Sequence, residues 1–290
     1  MPDGCELKEI DYNLLPKISG NIVLAFSWIA SSEFLSRGKG FIMKNKVLVI
    51  GKAFLWSFFV LLFPIASGVL SVILELDTVK TFFLQGFFMV LALVPPVILV
   101  LLNKWHWDEI GFTQFDLQSC KRVFFFIPVL AIFIPVAVKG FYIKSIEYVL
   151  GSFFLYMFVG IAEEVYFRGI VPNCLKKAFS MKETVVLSTF IFGIGHIATA
   201  FAGGSTLEII LTVLNAFIFG WLAMEITILS KNIVPAILIH FFFDFETKIV
   251  AISGKELLIA EGVRGTIMFL AAIWLTIMVN KENKNRSVRV

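Results

Sequence analysis

Six ionisable side chains sit in stretches where a chain this apolar should not carry them. Glu163, Glu164 and Arg168 lie in IAEEVYFRGI, residues 161–170, His196 follows FIFGIG, and His240 and Asp244 bracket HFFFD. A charge at the centre of a bilayer costs about 2.5–3.5 kcal/mol on insertion scales, so such residues pair, face a cavity or work. Glu164 and Arg168 are four residues apart and share a helical face, which makes them a natural structural pair. Glu163 lies about 100° further round the helix, so it is left as a separate carboxylate that could serve as a general base. Phe192 is one turn before His196 on the same face, and Gly193 and Gly195 leave room for a neighbouring helix or a substrate. Asp244 is one turn after His240 on its face. Either histidine alone could simply bond to another helix. The third histidine, His106, stands between two tryptophans and reads as an interfacial anchor.

Taken together, these residues suit amide hydrolysis inside a membrane. A carboxylate and an imidazole can activate water. A second imidazole with a polar neighbour can stabilise an oxyanion. Two histidines and a glutamate could instead hold Zn²⁺, although the compact H-E-x-x-H spacing is absent. Ser205, in AGGSTLE, does not fit G-x-S-x-G, and no paired-aspartate G-x-G-D sequence occurs.

The elements that must position these groups are membrane helices. The 290-residue chain is 59% hydrophobic and 16% charged, against about 25% charged in soluble domains. Its apolar runs reach bilayer-spanning length without the alternation of a barrel strand. The expected fold class is all-α: a polytopic transmembrane bundle of eight spans at roughly 50–74, 81–103, 123–138, 147–166, 184–202, 206–229, 233–250 and 265–280. Residues 19–36 read as an interfacial helix, with a ninth span as the alternative. The whole chain, 1–290, is expected to be one membrane domain with a cytoplasmic or interfacial segment at 1–46 and a catalytic core at 147–250. The polar connection 104–122, with its tryptophans, is placed at the interface.

Charge orients the bundle. With the N-terminus inside, nineteen Lys and Arg fall on the inner side and six on the outer (Lys80, Lys139, Lys144, Lys248, Lys255 and Arg264). That is a strong positive-inside bias, and it makes both termini cytoplasmic. Cys5, Cys120 and Cys174 then lie on the reducing side, with no metal-like spacing. Asp3, Glu6, Glu9 and Asp11 argue against a secretory signal, and no myristoylation or CaaX motif is seen. The net charge of +4 fits topology rather than nucleic-acid binding.

Three motifs, in order, resemble one known family. EEVYFR resembles E-E-x-x-x-R, FGIGH resembles F-x-x-x-H, and HFFFD resembles H-x-x-x-N/D. These are the motifs of the CPBP family, the CAAX proteases and bacteriocin-processing (Abi) proteins, which includes type II CAAX prenyl endopeptidases. The stretch GWLAMEITILSKNIVPAILIH is also similar, and the likeness covers roughly residues 147–250. The resemblance implies that Glu163 and His196 activate water, that His240 and residue 244 form the oxyanion site, and that Glu164 and Arg168, with Phe192, support it. It implies catalysis without a metal; with zinc, the ligands would be Glu163, His196, His240 and Asp244. Many members carry Asn where this chain has Asp244, and an ionised Asp would repel an oxyanion.

The function expected on these grounds is an intramembrane endopeptidase. Its substrate would be a prenylated CaaX-like tail, a signalling or bacteriocin peptide, or the membrane anchor of an exported protein. The alternatives are a non-catalytic scaffold or self-immunity protein, and a proton-coupled transporter. Expected partners are the bilayer and a peptide or prenylated substrate, with no nucleic acid. The expected location is a multi-pass place in a membrane, the cell membrane in a prokaryote. The site should lie nearer the cytoplasm, with a polar cavity opening inward.

Overall fold

A computed structural model describes residues 42–113, 123–198 and 205–287. The expected interfacial helix at 19–36 and residues 114–122 of the polar connection lie outside them. From Lys46 onward the chain forms one compact unit. The elements are α1 (Ile42–Ile73), α2 (Thr78–Leu101), a 3₁₀ turn (Trp107–Ile110), a longer 3₁₀ stretch (Val123–Phe133) running into α3 (Ile134–Ala137), α4 (Ile146–Glu164), a π-helical segment (Val165–Ile170), α5 (Val171–Leu175), α6 (Met181–Gly195), α7 (Thr206–Ser230), α8 (Val234–Ile249) and α9 (Gly254–Ser287). Among the described residues there is no named strand, only an isolated bridge between Phe141 and Val250.

Among the described residues, five helices are long and apolar enough to cross a membrane: Asn45–Ile73, Thr78–Leu101, Ile146–Leu175, Thr206–Ser230 and Gly254–Glu282. The remaining expected spans differ in form. Residues 123–133 wind as 3₁₀ helix, because Pro128 and Pro135 supply no N–H to an α ladder. Helix α6 stops at Gly195 and α8 has 16 residues, so both are shorter than a full span. Large apolar side chains face outward on the long helices, with Val72 77%, Leu101 70% and Ile259 69% exposed. Such faces are made for lipid.

Loop contacts sort the helix ends into two sides. On one side, the Ile233 amide donates to the Gly111 carbonyl, Asn232 Nδ2 donates to the Thr113 carbonyl, and Asn173 Nδ2 donates to the Glu109 carbonyl at 2.7 Å. Lys46 joins this side through Glu183, 3.9 Å away, and the Phe179 ring. On the other side, the Tyr142 and Ala251 amides donate to the Ile249 and Gly140 carbonyls, and Lys139 pairs with Glu256 at 3.1 Å. The first side carries Lys104, Lys176, Lys177, Lys182 and Lys231, so it is the basic end.

Helix α4 is the hub, packing against α2 and α8, while α7 packs against α6 and α9. Two proline defects lock the hub in place. Pro96 in α2 cannot donate to the Ala92 carbonyl, and the Tyr166 hydroxyl donates to that oxygen instead, at 2.9 Å. In the π segment, the Val171 amide reaches back five residues to the Tyr166 carbonyl. The next donor in that register would be Pro172, which has none. The carbonyl left over, that of Phe167, accepts from Ser188 Oγ of α6 at 2.8 Å. Buried carbonyls need a partner, and here supplying it ties α4 to both neighbours.

Candidate active site

The charged stretch enters the site through close helix packing. A Cβ on Gly160 would lie 3.2 Å from both the Ile237 carbonyl oxygen and the Phe241 amide nitrogen of α8, so glycine lets α4 and α8 approach closely without crowding the α8 backbone. One turn further on, Glu163 and Glu164 meet His240. Gly169 similarly allows the Ile110 backbone to press against the π segment. A π segment immediately after the paired glutamates is the kind of defect that recurs at functional sites.

Glu164 Oε1 lies 3.0 Å from Arg168 Nη1 and 2.7 Å from His240 Nδ1, and all three side chains are at most 5% exposed. The i,i+4 pair expected from the sequence is present, but it also holds the histidine. The Arg168 guanidinium stacks over the Phe192 ring at 4.2 Å and lies 5.5 Å from the Phe219 ring. Its attraction to Glu164 and to these faces offsets part of its burial cost.

The other imidazole nitrogen of His240, Nε2, is 3.6 Å from Asp244 Oδ2 and 3.8 Å from Glu163 Oε2. His240 therefore has three carboxyl groups within 4 Å. Glu164 can only accept, so Nδ1 carries a proton. Nε2 donates only when the ring is the imidazolium. Glu163 Oε2 is buried and accepts no hydrogen bond from the protein.

His196 is the C-cap of α6. Its Nδ1 lies 3.0 Å from the Phe192 carbonyl oxygen, to which the N–H donates. That tautomer makes Nε2 the basic nitrogen. The Phe192 ring stacks near both histidines, at 4.5 Å from His196 and 6.2 Å from His240. The room expected beside Gly193 and Gly195 is occupied by Phe217 and Leu61, so it serves helix packing rather than substrate.

A cavity of about 390 Å³ joins His196, His240 and Asp244 to Glu208, Thr212, Thr247, Lys248, Gly254 and Glu261. Its outer residues belong to the ends of α7, α8 and α9 opposite the basic end. At the basic end, Gly169 packs on Ile110 and residues 231–233 bond to 111–113. Glu163 does not line the cavity; it lies 3.8 Å from Nε2 of His240, which does.

A second buried cluster flanks the cavity. Arg264, 0% exposed, donates to Glu261 at 3.0 Å, to Glu246 at 3.2 Å and to the Phe243 carbonyl at 2.8 Å, with its guanidinium 3.5 Å over the Phe243 ring. It joins α9 to the helix that carries His240 and Asp244. Sequence reading counted Arg264 as an outer-loop charge; Glu261, three residues before it, was the available signal. His106 is exposed at the start of the 107–110 turn, away from the site, as expected.

Among the described residues, no three His, Cys, Asp or Glu side chains converge as metal ligands would. His240 Nδ1 is engaged with Glu164, and the distances from Nε2 to Glu163 and Asp244 describe ion-pair contacts.

No curated protein and no solved structure matches the chain. Residues 145–245, the segment that positions every residue of the three motifs, match the family described as type II CAAX prenyl endopeptidase Rce1-like, the CAAX-protease family that those motifs resemble.

Proposed function

We propose that this integral membrane protein is an endopeptidase that cleaves a peptide bond of a membrane-anchored substrate, using a water activated by Glu163 with His196. The observation that carries the proposal is the gathering of Glu163, Glu164 and Asp244 around His240, which itself lines one cavity with Asp244 and His196. A buried carboxylate oxygen with no protein donor, beside an imidazole, is a suitable proton acceptor for water. His196 Nε2 is the second acceptor.

The hydroxide so formed attacks the carbonyl carbon of the scissile bond, and the carbonyl electrons move onto oxygen. The His240 imidazolium, anchored through Nδ1 by Glu164, donates its Nε2–H to that oxyanion. Asp244 assists only as the protonated acid, in which form it donates a hydrogen bond rather than repelling the charge. Collapse of the intermediate breaks the C–N bond. The proton taken from water passes to the leaving amine, and the products are a carboxylic acid and an amine.

Cleavage of a membrane-peptide reporter and of a farnesylated CaaX reporter, by the purified protein in detergent, tests the proposal. Glu163→Gln should lower the rate by about 10²–10⁴-fold, the usual contribution of a positioned general base. Equal cleavage by Glu163→Gln and wild type would remove Glu163 from the mechanism. Absence of cleavage by the wild type would favour a non-catalytic scaffold.

A further inference from the structure

We propose that a second cavity, walled by α6, α7 and α9, binds a lipid alcohol: a molecule with a long apolar chain and a hydroxyl that hydrogen-bonds to Glu225. The cavity holds about 920 Å³ and shares no lining residue with the one at His196. Small-molecule sites span about 300–1,000 Å³. The assignment does not depend on the protease reading.

The polar part of the site is one carboxyl group. Glu225 lines the cavity and is only 4% exposed. Trp221 Nε1, at 3.2 Å, and the Thr276 hydroxyl, at 2.8 Å, both donate to its Oε1. Trp221 and Thr276 line the cavity as well, so the carboxyl is held on the wall by α7 and α9 together. Its Oε2 is buried and has no hydrogen-bond partner among the described residues. A carboxyl oxygen left in this way within an apolar wall is costly. The terminal torsion of a glutamate is soft, so a small turn presents Oε2 to an occupant. A hydroxyl donates to a carboxylate and accepts from a carboxylic acid, so it serves Glu225 in either protonation state. An ether or ester can only accept, and an ammonium can only donate.

The apolar part is a stripe on each helix. Phe217, Trp221 and Glu225 recur every four residues on α7 and form the floor. Helix α7 packs against both α6 and α9, which supply the walls through Val186, Phe190 and Phe269. The Phe190 ring lies 5.8 Å from that of Phe217, and the Phe269 ring 6.0 Å from that of Trp221. Val186, Phe190 and Phe269 are exposed, so the cavity opens sideways, where a membrane bundle meets lipid. The occupant is therefore drawn from the bilayer. Glu225 lies five residues before the end of α7 at Ser230, or about 8 Å at the helical rise. Ser180, Lys182 and Asn280 line that end. In the other direction, Phe217 is eight residues away, about 12 Å. A hydroxyl at Glu225 thus stands near the polar end of the cavity, with its chain running along Phe217 and Phe269.

The test uses the full chain in phosphatidylcholine nanodiscs, a lipid without a hydroxyl. The probe is hexadecanol with a photoreactive diazirine in its chain, compared with its methyl ether, and labelled residues are located by peptide mass spectrometry. The alcohol should label the cavity at Phe190, Phe217 or Phe269 saturably, and plain hexadecanol should displace it. The ether should label about tenfold less, the worth of one hydrogen bond to a buried carboxyl. Glu225→Leu should lower labelling by the alcohol to the same degree, whereas Glu225→Gln, which keeps a donor and an acceptor, should retain most of it. Val186→Trp fills the exposed mouth away from the carboxyl and should block labelling with circular dichroism unchanged, so a result is obtained even if Glu225→Leu fails to fold. Equal labelling by alcohol and ether, or by wild type and a folded Glu225→Leu, would overturn the hydrogen bond. Unsaturable labelling spread over all lipid-facing helices, or undiminished labelling of Val186→Trp, would overturn the site. Displacement by hexadecylamine at lower concentration than by hexadecanol would overturn the hydroxyl in favour of an amine.

Discussion

Glu164 is given two duties by the geometry, and they can be pulled apart. Its Oε1 neutralises Arg168 at 3.0 Å and holds His240 Nδ1 at 2.7 Å, with its own side chain fully buried. Glu164→Gln keeps the shape and an acceptor oxygen but removes the charge. Arg168 is then a buried, unpaired cation, and breaking a buried pair in this way costs about 3–5 kcal/mol. At about 2–4 °C per kcal/mol for a chain approaching this size, the melting temperature should fall by roughly 10 °C. Adding Arg168→Met removes the stranded charge, and replacing both partners of such a pair is often neutral. The double variant should therefore recover most of the lost stability. It should not recover activity. His240 would still bond a neutral amide in place of a carboxylate, losing about 1–1.5 kcal/mol of charge-assisted bonding, or roughly tenfold in rate. The assays are thermal unfolding in detergent followed by tryptophan fluorescence, and reporter cleavage on the same preparations. Full recovery of both quantities in the double variant would refute the positioning duty. An unchanged melting temperature in the single variant would refute the buried pair.

Tyr166→Phe should cost about 1–3 kcal/mol, because it leaves the Ala92 carbonyl unsatisfied; in a Pro96→Ala background, where a backbone N–H returns to that oxygen, the cost should shrink, and an equal loss in both backgrounds would contradict the explanation. Gly160→Leu should force α4 from the α8 backbone, cost about 1–3 kcal/mol and abolish cleavage while circular dichroism stays helical. A strong zinc chelator should leave cleavage unchanged; loss of activity restored by added zinc would instead assign Glu163, His196, His240 and Asp244 as ligands. Hydrogen bonds from the Ser180 amide and hydroxyl, helped by Lys46, hold the Glu183 carboxyl below its ordinary value. A depressed carboxyl stabilises above its unfolded value of about 4.3 and loses that contribution as pH falls through the folded one. Protection of the Ser180 amide against exchange should accordingly fall as pH drops through the folded value, and Glu183→Gln should flatten that dependence.

Much of the site is legible in the sequence because each charge in an apolar run stands out. The i,i+4 rule pairs Glu164 with Arg168 and places Asp244 beside His240, and both contacts are present. What the rule cannot supply is contact between distant segments. Glu164 and His240 are 76 residues apart, and their bond depends on the close approach at Gly160. The π segment is equally hidden, since it follows from a proline and from a serine on another helix. Span lengths misled where prolines intervene: residues 123–133 are apolar enough for a membrane helix, yet they wind as 3₁₀. Hydropathy records how apolar a stretch is and not which carbonyls lack donors.

The π segment also makes the long helix Ile146–Leu175 two helices out of phase. One surplus residue sits between the half that carries Glu163 and the half that meets Ile110 and Asn173's partner Glu109. A deletion of a single residue within 165–170 would let the ladder return to four-residue spacing, turning one half against the other by about 100°. Every side chain on one half would then face a new neighbour, although composition and hydropathy would hardly change. The reading frame of this helix is thus a structural quantity in its own right, and length-changing variation here should be far less tolerated than substitution.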